Sequence, residues 1–434
     1  MCIGQGEQEI SILRRNVRAN YESGEEGTRC ICLPSCEERA KRFALYAGAA
    51  GLGLGHCVIP QVILLVIGVH KAITDPSARR IKSRPETTIL LGLIVWMMLS
   101  AIPAIRPYSA LGGAIGMALS GWVVFGAVSR VLIERKERGK SLIQLFLGSA
   151  CIGAIYALAN YASALAKGRG YYRAELPFVG SNAAGTVFCV AILTALGYFR
   201  SADRRGKLMM LPVIVLLTVA LIATQSRGAF VAFLAGFLVF LMPGAKSRQN
   251  LIVKIAALAG LVCIVAFFFR VNPSVATRYA RILNPMANRD RLEIWRTALL
   301  MIRDHPVLGV GVNNFVNFYP LYEHPEGFGT SMYMAHNIFL EFGATTGIPG
   351  LILFSLAIAL GIYRGVRSVI KVGSKEVLPV TALAVFCAIL VHLQFDITLN
   401  SGDMLPFFFV PYGILTNLDE WLEQRTKEDE YAED

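Results

Sequence analysis

The chain has 434 residues, of which 55% are hydrophobic and 17% charged, and it carries a formal net charge of +12. Its mean hydropathy of +0.53 and its long apolar blocks, separated by short charged ones, exclude an ordinary soluble enzyme and indicate a polytopic membrane protein. A strongly basic chain can bind nucleic acid, but here the basic residues fall mainly between apolar blocks, where they act as orientation signals.

Residues 1–42 are predicted to form a cytoplasmic N-terminal segment. They contain no apolar core of signal-peptide length, and several lysines and arginines precede the first hydrophobic block. The segment CICLPSC contains Cys30, Cys32 and Cys36. No histidine or fourth thiol stands nearby, so free cytosolic thiols are favoured over a metal site.

The apolar blocks that follow predict membrane-spanning helices. The first, Phe43 to His70, is long for one helix and short for two, and Gly55, His56 and Pro60 suit a break within it. Further spans of about 20 residues are predicted at 87–105, 109–132, 142–165, 179–199, 208–225, 229–243, 251–270, 337–363, 378–398 and 404–417.

Clusters of basic residues predict which connections between the spans lie on the cytoplasmic side of the membrane, and so how the chain threads through it. KAITDPSARRIKSR, ERKERGK, RSADRRGK, AKSR and RGVRSVIK fall at every second connection, as cytoplasmic segments do. With the N-terminus also inside, the first block must cross twice. The prediction is an all-α protein with about 12 transmembrane helices. Helices 1–9 occupy 43–270, a large periplasmic loop 271–336, helices 10–12 337–417, and a cytoplasmic tail 418–434.

The remaining arginines lie mostly on the predicted outer side, in KGRGYYR, in QSRGAF and in the large loop. Arginine suits phosphate because its planar guanidinium makes bidentate, permanently charged hydrogen bonds. Arginines above a membrane bundle therefore indicate a lipid-linked anion, whereas solvated or snorkelling arginines are the simpler alternative.

The loop sequence RDRLEIWRTALLMIRDHPVLGVG predicts a helix from Asp290 to Ile302, ending before Pro306. One apolar face, suited to the membrane surface, contains Leu292, Trp295, Leu299 and Ile302. Another face contains Arg289, Arg296 and Arg303, which recur at every seventh residue.

His336 lies where this loop enters the span 337–363. A well-placed histidine base contributes roughly 10² to 10⁴-fold in rate, although a polar helix start is the plainer interpretation. His392 competes with it, because it lies one turn before Asp396 and the two could form a catalytic dyad or an interhelical contact. The outer acidic residues form no Asp-x-Asp pair or carboxylate cluster, so no metal ion or cofactor is expected.

Three motifs in this order resemble the O-antigen ligase and polymerase superfamily: SRGAFVAFL, RLEIWRTAL running into HPVLGVG, and HNIFLEFGATTGIPG. His336, Asn337, Leu340 and Gly347 fit its pattern His-Asn-x-x-Leu-x-x-x-x-x-x-Gly. The resemblance implies a bacterial inner-membrane glycosyltransferase with a fold like the C class. It also implies transfer from undecaprenyl pyrophosphate at the periplasmic face. For a ligase, the acceptor is a sugar hydroxyl of the lipid A core in lipopolysaccharide biosynthesis.

The resemblance also implies roles for individual residues. His336 corresponds to the histidine that activates the acceptor hydroxyl, and Arg227 and Arg291 to the arginines that hold the pyrophosphate. Further candidates for donor contact are Arg289, Arg296, Arg169 and Arg173. Possible supporting residues are Asn337, Glu341, His392 and Asp396. A base beside the acceptor and positive charge beside the leaving group predict metal-independent displacement with inversion.

Two relatives in the superfamily stay open as alternatives, the O-antigen polymerase and a protein-glycosylating ligase, because they share the motifs. The late position of the large loop favours the lipid A core ligase. A transporter or lipid flippase is an alternative of another class. It predicts an inverted repeat, or broken helices with ionisable residues near the bilayer midplane, and the sequence shows no clear repeat.

Overall fold

The structure is a computed structural model that describes residues 36–56, 59–64, 66–67, 84–123, 136–168, 172–242, 248–281, 284, 286–329, 331–372, 377–397 and 404–418. Over these residues it is all-helical and contains no strand, as predicted. The helices are α1 (Cys36–Leu54), α2 (Pro85–Leu99), α3 (Pro107–Val123), α4 (Lys136–Ala166), α5 (Ser181–Ser201), α6 (Arg204–Ala223), α7 (Arg227–Leu241), α8 (Arg248–Val271), α9 (Pro273–Ala280), α10 (Arg289–Asp304), α11 (Phe315–Phe318), α12 (Ile338–Val372), α13 (Val377–His392) and α14 (Leu405–Leu418).

Apolar helices give the chain the character of a multi-pass membrane protein. Within the described residues, those long and apolar enough to cross a bilayer are Gly139–Ala166 of α4, α5, α6 and α12. Shorter apolar helices are α2, α7, Leu258–Val271 of α8, α13 and α14. The total of about twelve spans and the predicted domain boundaries stay predictions.

The first apolar block contains α1 and a further helical stretch at 59–64. The chain turns at Gly55, whose φ of +83° is a left-handed conformation that favours glycine. A Cβ added at Gly48 would lie 3.4 Å from Cβ of Pro60, so the second stretch lies close against α1. That the first block crosses twice stays a prediction.

The centre of the bundle is formed by α5, α7 and α13, which pack on one another. Small residues permit the close approach: a Cβ at Gly236 would lie 2.7 Å from the carbonyl oxygen of Ala384, and one at Gly185 would lie 2.7 Å from Cβ of Ala229. Such contacts are typical of membrane helices, whose association depends on packing rather than on a hydrophobic driving force.

The helix α12 is longer than the predicted span 337–363, and it is interrupted. Gly347 has φ +71°, and Pro349 follows it. The interruption frees carbonyl groups, and a neighbouring loop satisfies them: the backbone N–H of Val310 donates to Ala344 over 2.9 Å, and that of Gly311 to Thr345 over 2.9 Å.

The same loop accepts a bond in return, because the N–H of Ile348 donates to the carbonyl of Pro306 over 2.8 Å. On another side of the break, Nε1 of Trp96 in α2 donates to the carbonyl of Thr346 over 2.9 Å. The sequence HPVLGVG is thus a docking segment that holds the outer part of α12 in place.

The predicted loop helix is observed as α10 and ends before Pro306. Its protein-facing side contains Ile294, Ala298 and Met301, which are buried. Of the apolar face expected from the sequence, Leu292 and Leu299 point outward, 48% and 57% exposed, whereas Trp295 is partly buried and Ile302 packs against the buried cluster. The helix therefore has two apolar sides: one packs on the protein, and the other stays accessible for a membrane surface.

Residues predicted on the same side of the membrane contact each other. Nη1 of Arg84 donates to Oδ1 of Asn417 over 2.7 Å, and Glu86 forms an ion pair with Arg364. These residues stand at connections predicted to be cytoplasmic, so the contacts agree with the alternating threading.

Candidate active site

The start of α12 is fixed on the end of α13. Asn337 precedes the first helical residue, and its Oδ1 accepts from the N–H groups of Phe339 and Leu340 over 3.1 and 3.2 Å. Its Nδ2 donates to Oε1 of Gln394 over 3.1 Å. The N–H of Ile338 donates to the carbonyl of Leu393 over 2.8 Å. A side chain just before Ile338 is therefore held at the end of α13.

His336 occupies that place in a strained backbone conformation. Its φ of +52° lies in the left-handed region, which is uncommon outside glycine and costs on the order of 1 kcal/mol or more. Glu341, which is buried, holds the preceding turn, because its Oε2 accepts from the N–H of Ala335 over 2.7 Å. Such retained strain is frequent at functional sites.

The His336 ring is paired with Asp396, which lies just beyond the end of α13. The distance from Nδ1 of His336 to Oδ1 of Asp396 is 3.2 Å, and the two side chains are 30% and 14% exposed. With the carboxylate ionised, Nδ1 is the donor, so Nε2 is the basic nitrogen of the neutral ring. This is the arrangement of a general base and the carboxylate that orients it.

The surroundings keep Asp396 ionised. Burial raises the pKa of this carboxyl, but the hydrogen bond from His336 and the interactions with His336 and His392 oppose that shift. The side chain of Asn182, at the start of α5, adds a hydrogen bond that also lowers the pKa. The net pKa of Asp396 is below its ordinary value.

Arginines lie near this pair, and Arg291 in α10 interacts both with the Asp396 carboxylate and with two further arginines. Burial lowers the pKa of its guanidinium, and the Asp396 carboxylate opposes that shift. The positive charges of Arg227 and Arg278 lower the pKa again, and the net pKa lies below its ordinary value. Arg291 of α10 is thus close enough to Arg227 of α7, to Arg278 of α9 and to Asp396 to interact electrostatically with each of them.

The turn between α6 and α7 positions two arginines of the site. Carbonyl groups at the end of a helix lack intrahelical partners and attract cations. Nε of Arg173 donates to the carbonyl of Thr224 over 2.9 Å, and Nε of Arg278 donates to that of Gln225 over 3.1 Å. Nη2 of Arg173 also donates to Oδ1 of Asn182 over 2.6 Å, which links this arginine to the neighbour of Asp396.

Arg227 begins α7 and reaches the outer loop. Its Nη1 donates to the carbonyl of Arg281 over 3.1 Å, and its Nη2 donates to Oδ1 of Asn288 over 2.9 Å. Both acceptors are neutral, so these bonds orient the guanidinium without cancelling its charge.

Two other predicted donor contacts are engaged elsewhere. Arg296 makes a bidentate bond to Glu293, with its Nη2 2.9 Å from Oε1, and also donates to the carbonyl of Glu323 over 2.7 Å. The guanidinium of Arg289 lies 4.3 Å from the centre of the Phe328 ring. The structure does not bring these arginines into the group around Asp396, and Arg169 lies outside the described residues.

His392 is a buried neighbour of the pair rather than a part of the open site. It is 2% exposed, and its Nδ1 lies 3.0 Å from Oγ1 of Thr186 in α5. The N–H of Asp396 donates to its carbonyl over 3.0 Å. The i, i+4 relation noted in the sequence therefore fixes the backbone at Asp396.

Sequence reasoning missed Asn182 and Arg278 as site residues. Asn182 stands in the apolar start of α5, where no motif marks it, and only the packing of α5 beside α13 brings it to Asp396. Arg278 is one of several arginines in the outer loop, and its bond to the carbonyl of Gln225 distinguishes it from the others.

Residues 212–355, from α6 to the interrupted α12, match the family model described as O-antigen ligase. The chain carries an O-antigen ligase family domain. The match confirms the resemblance to the ligase and polymerase superfamily, whose members are glycosyltransferase-like enzymes. Comparison with curated proteins gives no match.

The O-antigen ligase domain contains His336 and three arginines of the site, Arg227, Arg278 and Arg291. Arg173, Asn182 and Asp396 lie outside it. The site is therefore completed by helices on both sides of the domain in the sequence, α5 before it and the end of α13 after it.

Proposed function

We propose that this protein is an O-antigen ligase, which transfers O-antigen polysaccharide from undecaprenyl pyrophosphate to a sugar hydroxyl of the lipid A core. The observation that carries the proposal is the His336–Asp396 pair with Arg291 and its arginine neighbours beside it. A base next to an excess of positive charge suits a neutral hydroxyl nucleophile and an anionic leaving group.

In the proposed reaction, the acceptor hydroxyl oxygen attacks the anomeric carbon of the donor glycan. The bond from that carbon to the pyrophosphate oxygen breaks, and the electron pair leaves with the pyrophosphate. The hydroxyl proton passes to Nε2 of His336, and Asp396 stabilises the resulting imidazolium through Nδ1. Attack from the face opposite to the leaving group inverts the anomeric centre.

Arg173, Arg227, Arg278 and Arg291 would stabilise the negative charge that develops on the leaving pyrophosphate. Arg291 interacts electrostatically with Arg227 and Arg278 as well as with Asp396, so several guanidinium groups stand near this carboxylate. Preorganised cations aimed at developing charge are usually the largest contribution to catalysis. Because the donor is already activated, the reaction needs no ATP.

The proposal places the reaction at the periplasmic face of the bacterial inner membrane, with both termini in the cytoplasm. The supporting feature is the threading: residues predicted to be cytoplasmic contact each other at one end of the bundle, and His336 stands at the other end of α12. A site at the rim serves a donor and an acceptor that are both lipid-anchored.

The interruption of α12 has a role in this proposal that differs from its role in a transporter. Broken helices in transporters line substrate sites near the midplane. Here the freed carbonyls of Ala344 and Thr345 are satisfied by a loop of the protein itself. The break therefore supports the fixed position of His336 rather than an ion site.

The test is a reaction of the purified protein with the lipid-linked glycan donor and lipid A core acceptor, in EDTA and without ATP. The expected product is the acceptor extended by the donor glycan, resolved on a gel and verified by mass spectrometry. Extension of a second lipid-linked glycan alone indicates a polymerase, and glycan on a protein substrate indicates a protein-glycosylating ligase. Movement of lipid across vesicles without a new glycosidic bond would overturn the transferase.

A further inference from the structure

A large cavity lies in the half of the bundle opposite to His336. It is bounded by α1, the stretch 59–64, α4, α5, α13 and α14, and it encloses about 1130 Å³ of empty space, counting the part open to the surroundings. On α13 the lining runs from Leu378 to Val385, whereas His392 at the far end of this helix belongs to the candidate active site.

The lining is suited to hydrocarbon. Its side chains are apolar apart from Gln61, Thr194 and Thr381. The two threonine hydroxyls donate to carbonyl groups of their own helices, over 2.8 Å to Val190 and 2.8 Å to Val377. With these hydroxyls already bonded, the cavity favours a ligand that brings no hydrogen-bonding groups into it.

Positive charge collects where the lining helices end. Arg42 stands two residues before the lining residue Ala44 on α1, and Lys140 two residues before Leu142 on α4. On α5, Arg200 follows Thr194 by six residues, which is about 9 Å along a helix. The segments 36–42 and 136–140 together with Arg200 have seven lysines and arginines against three acidic residues.

Contacts show that these ends lie together. Leu45 of α1 and Leu142 of α4 belong to one buried cluster. Nε2 of Gln144 in α4 donates to the hydroxyl of Tyr198 in α5 over 2.8 Å. The cationic segments of α1, α4 and α5 therefore share one edge of the cavity.

We propose that this cavity binds a hydrocarbon chain of an anionic phospholipid whose headgroup lies at the basic ends of α1, α4 and α5. Besides acting as orientation signals, the cations at this edge are suited to a phosphate headgroup, and each basic residue near a membrane surface favours anionic lipid by about 1 kcal/mol. The site is distinct from the proposed donor site, whose arginines lie at the opposite end of the bundle.

The test compares phosphatidylglycerol with phosphatidylcholine of identical chains, by native mass spectrometry of the full-length protein after delipidation. One phosphatidylglycerol should stay bound, with a preference of about tenfold over phosphatidylcholine. Arg42→Gln with Lys140→Gln should abolish the preference. Arg367→Gln with Lys371→Gln, an exposed basic pair of α12 away from the cavity, should preserve it.

A second pair of variants tests the cavity itself. Ala49→Trp fills it and should abolish retention of phosphatidylglycerol, whereas Ile155→Trp, on an exposed position of α4, should leave retention unchanged. Equal retention of both lipids, or unchanged retention in Ala49→Trp, overturns the proposal. So does displacement of phosphatidylglycerol by undecaprenyl pyrophosphate. If Ala49→Trp fails to fold, the preference of the wild type for phosphatidylglycerol and the results for the charge variants still test the proposal. None of these measurements depends on transferase activity.

Discussion

Each of the two ends of the bundle places a carboxylate beside arginine. The ends differ in the ratio of positive to negative charge around that carboxylate. At one end, Glu86 of α2 is 1% exposed and pairs with Arg364 of α12. At the other end, Asp396 interacts with Arg291, which has arginine neighbours of its own, and pairs with the partly exposed imidazole of His336. A buried pair with matched charges holds helices together, whereas a partly exposed group with excess positive charge is suited to an anionic ligand.

The largest effect on the transfer rate is expected from substitution of the partly exposed His336. His336→Ala should reduce transfer by roughly 10² to 10⁴-fold, because the acceptor hydroxyl loses its base. The lipopolysaccharide ladder in a complemented deletion strain and the purified reaction measure this loss. The matched control is His305→Ala, since the ring of His305 packs on the edge of Phe318. A normal ladder from expressed His336→Ala protein would remove the proposed base.

The next largest effect is expected from removing one of the arginines beside Asp396. Arg291→Ala should slow transfer by about 10² to 10³-fold, because a group aimed at developing charge is lost. Arg303→Ala is the control on the same helix, since Arg303 is 70% exposed and bonded to Asp304 over 2.8 Å. Single-turnover rates compare the two variants, and equal losses would place the effect in the helix rather than in the site.

Asp396→Asn should lower transfer by about 10²-fold or more, because an amide does not hold the imidazole in its productive tautomer or stabilise its charged form. The lowered pKa of Asp396 also predicts a pH effect. Its stabilisation is fully present above the ordinary carboxyl pKa of about 4 and is lost as pH falls through the lower folded value.

Thermal unfolding of the wild type and Asp396→Asn measures that effect. The difference in Tm should be constant near neutral pH and should narrow at acid pH. A difference that widens on acidification would contradict the assigned direction of the Asp396 pKa.

At the end that contains Glu86, removal of a charge should lower the stability of the protein and leave the transfer reaction nearly unchanged. Glu86→Gln leaves Arg364 without its buried carboxylate, at a cost of about 3 kcal/mol, so the protein should unfold at a lower temperature. The rate per folded molecule should stay within about twofold. The double variant Glu86→Gln with Arg364→Met, which removes both charges, should recover part of the Tm. If Glu86→Gln lowered the rate per folded molecule as much as Arg291→Ala does, the proposed difference between a structural end and a reactive end would be wrong.

The smallest effect is expected for an arginine whose charge is already matched. Arg296→Ala should change the transfer rate by less than about twofold, because the side chain is engaged with Glu293 and the carbonyl of Glu323. Initial rates at saturating donor provide the comparison with Arg291→Ala. If Arg296→Ala and Arg291→Ala lowered the transfer rate by similar factors, Arg296 would also belong to the donor site.

The sequence predicted the helical class and the loop helix α10, because both depend on local patterns of apolar residues. It also singled out His336, Arg227 and Arg291 as candidates for one site, through motifs of the family. The family resemblance alone ranked Arg291 above Arg296, since both stand on the same loop helix with the same chemistry. Their difference arises from partners distant in the sequence, Asp396 for one and the Glu323 carbonyl for the other.

The sequence by itself determined that the chain is a helical membrane protein with an O-antigen ligase domain, because hydropathy and motif spacing are properties of the chain. Only the tertiary structure paired His336 with Asp396, across 60 positions of the sequence, and brought Asn182 to the same carboxylate. These contacts depend on how α5, α12 and α13 pack, and on the docking of the loop before α12 on the interruption at Gly347. Helix packing is set by side-chain contacts that no local pattern encodes.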